Sequence, residues 1–253
     1  MDGVRLSIES NVALITLDRP AKLNALDRAM VEGLGRACRD IEHSAARVAI
    51  LTGASERSFS AGGDIGAWSA DTPEEFGRFW VREGHLVFDA LARLRQPLIA
   101  VINGDCLGGG LELAACADYR IAERHARFGQ PETGLGIIPG WSGTQRAVRR
   151  FGHQAVRRMA LFGEVFAAEE ARLLGLADQV CEKGEGLATA RALAEQLARR
   201  SPQASELTKM LINAAEGEER ERVLDAIAGQ VAAGSRDLAT GLEAFRGKRK
   251  PEF

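Results

Sequence analysis

The sequence predicts an α/β protein whose C-terminal end is purely helical, and three features predict it. Short β-branched apolar runs alternate with stretches of helical periodicity up to about residue 198: VALITL from Val12, VAILT from Val48 and PLIAVI from Pro97. Glycine-rich turns follow two of these runs, SAGG before Asp64 and GGG at 108 to 110. Beyond residue 198 only helix-forming sequence follows, with no further strand. The division expected is an α/β core over 1–198 and a helical lobe over 199–253.

Taken in order, the strand from Val12 to Leu17 ends at Asp18-Arg19-Pro20, and a helix is expected from about Leu26 to Glu42. Met30, Leu34, Ala37, Cys38 and Ile41 fall on one face of it. The strand from Val48 to Thr52 closes at Gly53. Thr72-Pro73-Glu74-Glu75 has the form of a helix start, with Thr as N-cap, Pro in the first turn and Glu completing a capping box. That helix should run to about Arg95 and carry Phe76, Phe79, Trp80, Val87, Leu91 and Leu94 on one side. Short strands follow at Tyr119–Ala122 and from Phe128 to Glu132, then a loop until a helix near Ser142 or Thr144. A helix over Ala167–Leu174 should stop at Gly175, and Ala177–Cys181 is a candidate last strand. Leu161 and Phe162 are expected in the core; for the aromatic residues Trp68, Phe76, Phe79 and Trp80 core packing is the default reading and lining a substrate pocket the alternative.

Composition narrows the class. With 253 residues, 45% apolar and 27% charged, the chain can bury a large core. A net charge of −2 gives no electrostatic case for a nucleic-acid or anionic membrane surface. MDGVRLSIES has neither a basic nor an apolar leader segment, and no apolar run reaches the ~20 residues of a membrane helix. Cys38, Cys106, Cys116 and Cys181 are scattered without CxxC or zinc spacing, which fits a reducing, cytoplasmic setting. His43, His85, His125 and His153 form no HExxH or HxH cluster, so no metal site is expected.

The chemistry concentrates in residues 97 to 132. An apolar strand, three glycines and a helix opening LELAACAD would expose backbone N–H groups at a helix N-terminus, where the peptide dipoles favour negative charge. Glu112 stands in that first turn, and Glu132 follows 20 residues later in FGQPE. Donors that stabilise an oxyanion, set beside two carboxylates, can move protons next to a carbonyl. No Lys-Ser/Thr follows Gly110, so this is not a phosphate loop, and no acidic residue stands where a dinucleotide fold would need it.

FSAGGDI at 59 to 65, NGDCLGGGLELAACAD at 103 to 118 and FGQPETGLGIIPGWSGTQR at 128 to 146 strongly resemble the crotonase (enoyl-CoA hydratase/isomerase) family. The likeness extends from LDRPAKLNAL at 17 to 26 to the terminal KRKPEF. It implies a spiral of repeated ββα turns in place of a doubly wound sheet, with a C-terminal helical lobe for trimerisation, often as a dimer of trimers. It also implies roles. Gly63 and Gly109 match the positions whose N–H groups form the oxyanion hole. Ala61, Asp64 and Ile65 match the segment that holds the adenine and pantetheine of CoA, and Ala21, Lys22 and Leu23 the strap on the same tail. Gly140 matches a position lining the water site. Glu112 and Glu132 match both hydratase glutamates, Glu112 for the water and Glu132 for the proton at C2.

The resemblance therefore implies an enoyl-CoA hydratase that adds water to a trans-2-enoyl-CoA thioester. CoA enters as part of the substrate and no separate cofactor is needed. The alternative within the family is shifting a double bond from position 3 to position 2, for which one glutamate suffices. A different alternative is RNA binding, through Arg28, Arg36, Arg39 and Arg47. Glu32, Asp40 and Glu42 interleave with those arginines and the pI is near 6.2, which favours an ordinary solvated helix face. Two departures from the family pattern stand near the site. Cys106 is expected as a small buried residue, and Trp141-Ser142 either reshapes the active-site loop or packs.

Overall fold

A hairpin opens the chain: β1 (Val4–Glu9) and β2 (Val12–Leu17) pair antiparallel, with Glu9 opposite Val12. The two turn residues, Ser10 and Asn11, have φ of 51° and 67°, the left-handed pair that suits the twist of a two-residue hairpin. The computed structural model describes residues 3–218, 227, 236–250 and 252.

After α1 (Arg28–Glu42) the chain winds as a spiral. Each turn contributes one strand to each of two sheets: β3 (Val48–Gly53) then β4 (Ser58–Ser60), β5 (Leu98–Ile102) then β6 (Asp105–Leu107), β7 (Tyr119–Glu123) then β8 (Arg127–Gly129). The first sheet runs β1-β2-β3-β5-β7-β10 and the second β4-β6-β8-β9, with β9 at Val165–Ala167 and β10 at Gln179–Cys181. From β2 to β10 the first sheet is parallel, with Leu51 opposite Ala100 and Val101 opposite Ile121. The repeated ββα spiral implied by the family motifs is thus the fold.

Burial on both faces of the first sheet explains its unbroken apolar runs. Ala49, Leu51, Leu98, Ala100 and Ile102 face the main core, which also takes the apolar face of α1. Ile50, Ile99, Val101 and Ile121 face the other way, onto Ala190 and Ala194 of the later helix over Gly186–Leu197. Helix α1 buries the five residues its spacing predicts and starts at Asp27, whose side chain accepts from Met30 N at 2.9 Å.

The next helical stretch departs from expectation. Its capping box on Thr72 forms as read, opening α2 (Pro73–Glu75). One turn then widens to a π-helix over Phe76–Val81 before α3 (Arg82–Ala92) resumes. The inserted residue changes the phase, so Trp80, Phe88 and Leu91 are buried while Phe79 is 42% exposed. Helix α4 (Gly109–Ala115) is buried all round, and α5 (Gln145–Phe151) and α6 (His153–Phe162) follow the third spiral turn. Leu161 and Phe162 are not core: they are 63% and 76% exposed. The inner face of α6 is set by Ala155, Val156, Met159 and Ala160, and the last two residues before the left-handed Gly163 turn away from it.

α7 (Ala168–Leu173) leads to β10, then α8 (Gly186–Leu197) and α9 (Pro202–Ala215). The chain divides into two compact units, Met1–Glu206 and Leu207–Phe253, the second holding the end of α9 and α10 (Arg236–Arg246). Among the described residues no helix is long and apolar enough to cross a membrane.

Candidate active site

The site lies in the first unit, where the second spiral turn meets the loop after β4. Three consecutive glycines make that meeting possible, each for its own reason. Gly108 has φ 53° and turns the chain from β6 into α4. A Cβ on Gly109 would stand 3.0 Å from the Trp141 ring, and one on Gly110 2.3 Å from the Ser60 carbonyl of β4. The facing loop is held by a strap over residues 19 to 26. Asn24 is fully buried and donates from Nδ2 to the carbonyls of Ser58 and Phe59 at 2.9 and 3.2 Å. Leu26 N donates to Gly62 O, and Asp64 N to Leu26 O, each at 2.7 Å. This leaves the Gly63 amide unspent between two satisfied neighbours. Neither it nor the Gly109 amide donates a hydrogen bond among the described residues. The two are adjacent, since a Cβ on Gly109 would lie 3.4 Å from Gly63 N. Adjacent unspent donors in a cleft can both donate to one carbonyl oxygen as negative charge develops on it.

A cavity of about 630 Å³ opens onto them, and Glu112 and Glu132 both line it. Glu112, on α4, is buried, and its Oε1 accepts from Trp141 N and Gly143 N, both at 2.7 Å. Burial, then the neighbouring Glu132 charge, pushes its carboxyl up to about 8. Glu132 opens the 3-10 turn Glu132–Leu135; burial pushes it up to about 7, and its buried Oε2 has no hydrogen-bond partner. Two buried carboxylates on one cavity, both displaced towards neutral pH, can hold one proton between them and exchange it with a substrate.

The residues expected to contact a ligand do not all stand alike. Ala61, Ile65 and Gly140 line the cavity. Asp64 turns its carboxylate away, to Arg19 Nη1 at 2.6 Å and Gly66 N at 3.0 Å, and the arginine holds its pKa below the usual carboxylate range. Its service is to fix the loop that presents Gly63. Ala21 and Lys22 lie in the strap's 3-10 turn (Pro20–Lys22) and Leu23 caps it; none of the three lines the cavity, though Ala61 N donates to Leu23 O at 3.0 Å. Trp68, Phe76 and Trp80 form a wall of the cavity, and Phe79 does not. Cys106 is a buried small residue, as expected. Arg28 pairs with Asp71 and Arg36 with Glu32, while Arg47 donates to Arg200 O. Among the described residues no group of three or more His, Cys, Asp or Glu could hold a metal ion.

Sequence reasoning missed the residues that hold Glu112. Trp141 does both things its position allowed: it packs between Trp80 and Phe88, with centroids at 4.8 and 4.9 Å, and its backbone N–H grips the carboxylate. Gly143 is the second grip, and Gln130 Nε2 secures it through Gly143 O at 2.7 Å. A Cβ on Gly143 would meet Glu112 Oε1 at 2.6 Å, so only glycine fits. The signal was the glycine on the far side of Trp141-Ser142, with Ser142 at φ 78° forcing the loop inward.

A spiral with adjacent amide donors and a buried glutamate pair is the arrangement of an enzyme able to stabilise a negatively charged carbonyl oxygen beside a moving proton. The chain belongs to the enoyl-CoA hydratase/isomerase family, whose model matches residues 7–253. It is 40% identical over 214 residues to a short-chain-enoyl-CoA hydratase of Clostridium acetobutylicum, covering 84% of this chain and 82% of that one. It is 34% identical to a crotonyl-CoA hydratase of Syntrophomonas wolfei over 100% of this chain and 98% of that one. Among solved structures, the enoyl-CoA hydratase of Bacillus anthracis superposes with a TM-score of 0.80 at 32% identity, covering 99% of this chain and 98% of that one. Pseudomonas aeruginosa DspI superposes with a TM-score of 0.81 at 34% identity, over 100% and 97%.

Proposed function

We infer that the chain is an enoyl-CoA hydratase, adding water reversibly to the C2–C3 double bond of a trans-2-enoyl-CoA to give a 3-hydroxyacyl-CoA. The observation that carries this is the pair of buried carboxylates facing one cavity beside two unspent amides. The thioester oxygen accepts from Gly63 N–H and Gly109 N–H. Glu112 takes a proton from a water whose oxygen bonds to C3, and the double-bond electrons move onto the thioester oxygen as an enolate. Glu132 delivers a proton to C2 and the enolate collapses, leaving the pair's one proton on Glu112, from which exchange returns it to Glu132. The net displacements, with the hydrogen bonds on Glu112 already included, would make Glu112 the acid, since it is pushed higher. The geometry supports the opposite roles: two donors fix Oε1 of Glu112 and leave Oε2 to face the water. The partnerless Oε2 of Glu132 suits a protonated group.

CoA enters with the substrate and no separate cofactor takes part. The strap at Ala21–Leu23 and the mouth at Ala61 and Ile65 hold its tail, chiefly through backbone, with Gly140 beside the water. The protein assembles as a homotrimer, alone or doubled, and works in the cytoplasm. Supporting assembly, Leu161, Phe162 and Leu173 are exposed, as are Leu211 and Ile212 of α9. Val223, Leu224 and Val231, further apolar residues of the C-terminal helical lobe, lie outside the described residues. The test of the activity is the hydration rate across trans-2-enoyl-CoA thioesters of rising length and one aryl acyl group, with a 3-enoyl-CoA run beside them. Hydration faster than isomerisation supports the reading; isomerisation alone refutes it.

A further inference from the structure

Trp80 has open space on both sides. On one side is the cavity that holds Glu112 and Glu132. On the other is a separate cavity of about 400 Å³ between α1 and α3, walled by Val31, Phe79 and Val87 and bordered by Arg28 and Glu83. Trp80 lines both. Its indole is clamped from each direction. The Trp141 ring packs on it at a tilt, with centroids 4.8 Å apart, and Trp141 Nε1 donates to the Trp80 carbonyl at 3.0 Å. From the outer side the Arg28 guanidinium sits 5.7 Å from its ring centroid, itself tied to Asp71. The π-helical turn over Phe76–Val81 sets this orientation.

The indole also stands close to the reacting end. A Cβ on Gly63 would lie 3.0 Å from Trp80 Cζ2, and one on Gly109 3.0 Å from Trp141 Cζ3. An acyl chain whose thioester oxygen is held by those two amides therefore meets the two indoles within a few carbons. We propose that Trp80 is the end stop of the acyl pocket, restricting the enzyme to short acyl thioesters, and that the α1–α3 cleft behind it is an extension that longer chains would enter if the indole were removed. This rests on the hydratase reading and adds the substrate's length to it.

The test is kcat/KM for four-carbon and ten-carbon trans-2-enoyl-CoA in the wild type, Trp80→Leu and Trp80→Leu/Val87→Trp. In the wild type the four-carbon substrate should be favoured roughly tenfold or more, since each misplaced methylene in an apolar pocket is worth about that much. Trp80→Leu should shift the ratio towards ten carbons by at least about tenfold, and the added bulk at Val87, which walls only the outer cavity, should reverse the shift. A Trp80 that is only a packed core residue would lower both rates and leave the ratio in place. Equal wild-type rates on both substrates, or an unchanged ratio in folded Trp80→Leu, overturns the proposal; should Trp80→Leu not fold, Trp80→Phe and the wild-type comparison still decide. If no enoyl-CoA is hydrated at all, the hydratase reading itself fails. Calorimetric binding of butyryl-CoA and decanoyl-CoA to the same proteins then tests the stop independently of turnover, with equal wild-type affinities for the two counting against it.

Discussion

Replacing Glu112 by Gln should make the protein more stable at high pH while removing its activity. The carboxyl is 2% exposed and is pushed from 4.5 up to about 8, by burial first and by Glu132 second. The folded state therefore binds more protons than the unfolded state between those values. The stability this group contributes is full below about 4.5 and is lost as pH rises towards about 8. Above that, folding must hold an ionised carboxylate that is almost wholly buried. Gln keeps the volume and can accept from Trp141 N and Gly143 N through its own Oε1, but it cannot ionise. At ~1.4 kcal/mol per pH unit the displacement caps the relief near ~5 kcal/mol. Recovering even ~2 kcal/mol would raise Tm by ~4–8 °C in a chain of this size. Thermal melts of wild type and Glu112→Gln at pH 5, 7 and 9 should show a difference near zero at pH 5 that grows with pH. Hydration kcat should fall by ~10²–10⁴ throughout. A variant destabilised equally at all three pH values would refute the burial argument.

Three further outcomes follow from the same geometry. The kcat/KM profile should be bell-shaped, rising through about 7 as one carboxyl ionises and falling through about 8 as the pair loses its remaining proton; a profile flat from pH 6 to 9 would contradict the shared proton. Gly143→Ala places a Cβ 2.2 Å from Gln130 Nε2 and 2.6 Å from Glu112 Oε1, so it should displace the carboxylate and cost at least ~10² in kcat with a smaller effect on KM. Light scattering should report three or six copies of the chain at micromolar concentration, and a stable active monomer would remove the assembly proposal.

Much of this was legible in the sequence because the physics was local. Five apolar residues at helical spacing gave the buried face of α1, and Thr72-Pro73-Glu74-Glu75 formed the capping box its residues predict. The unbroken β-branched runs gave β2, β3 and β5, since strands covered on both faces need no alternation. The second sheet was less legible because its strands are three residues long (SFS, DCL, RFG and VFA), too short to carry a period. β1 was missed although VRLSIE alternates, because its turn is Ser-Asn with no glycine to mark it. Phe76 to Trp80 misled for a different reason: a π turn keeps helical composition while shifting which side chains face inward. In the site, both glutamates and both amide-bearing glycines could be placed from motifs. The grip of Trp141 and Gly143 on Glu112 could not, since backbone N–H groups leave no trace in side-chain chemistry.

The central claim is that this cavity adds water at C3 and a proton at C2 using both carboxylates. The most direct test is to react trans-2-butenoyl-CoA with the wild type, Glu112→Gln and Glu132→Gln in oxygen-labelled, deuterated water and analyse the product by mass spectrometry and NMR. The account predicts one labelled oxygen at C3 and one deuteron at C2 from the wild type, with each single variant slowed by at least ~10². Because the two residues share one water, the double variant should lose far less than the product of the single losses. Label-free double-bond migration in place of hydration, or either variant hydrating at near wild-type rate, would contradict it.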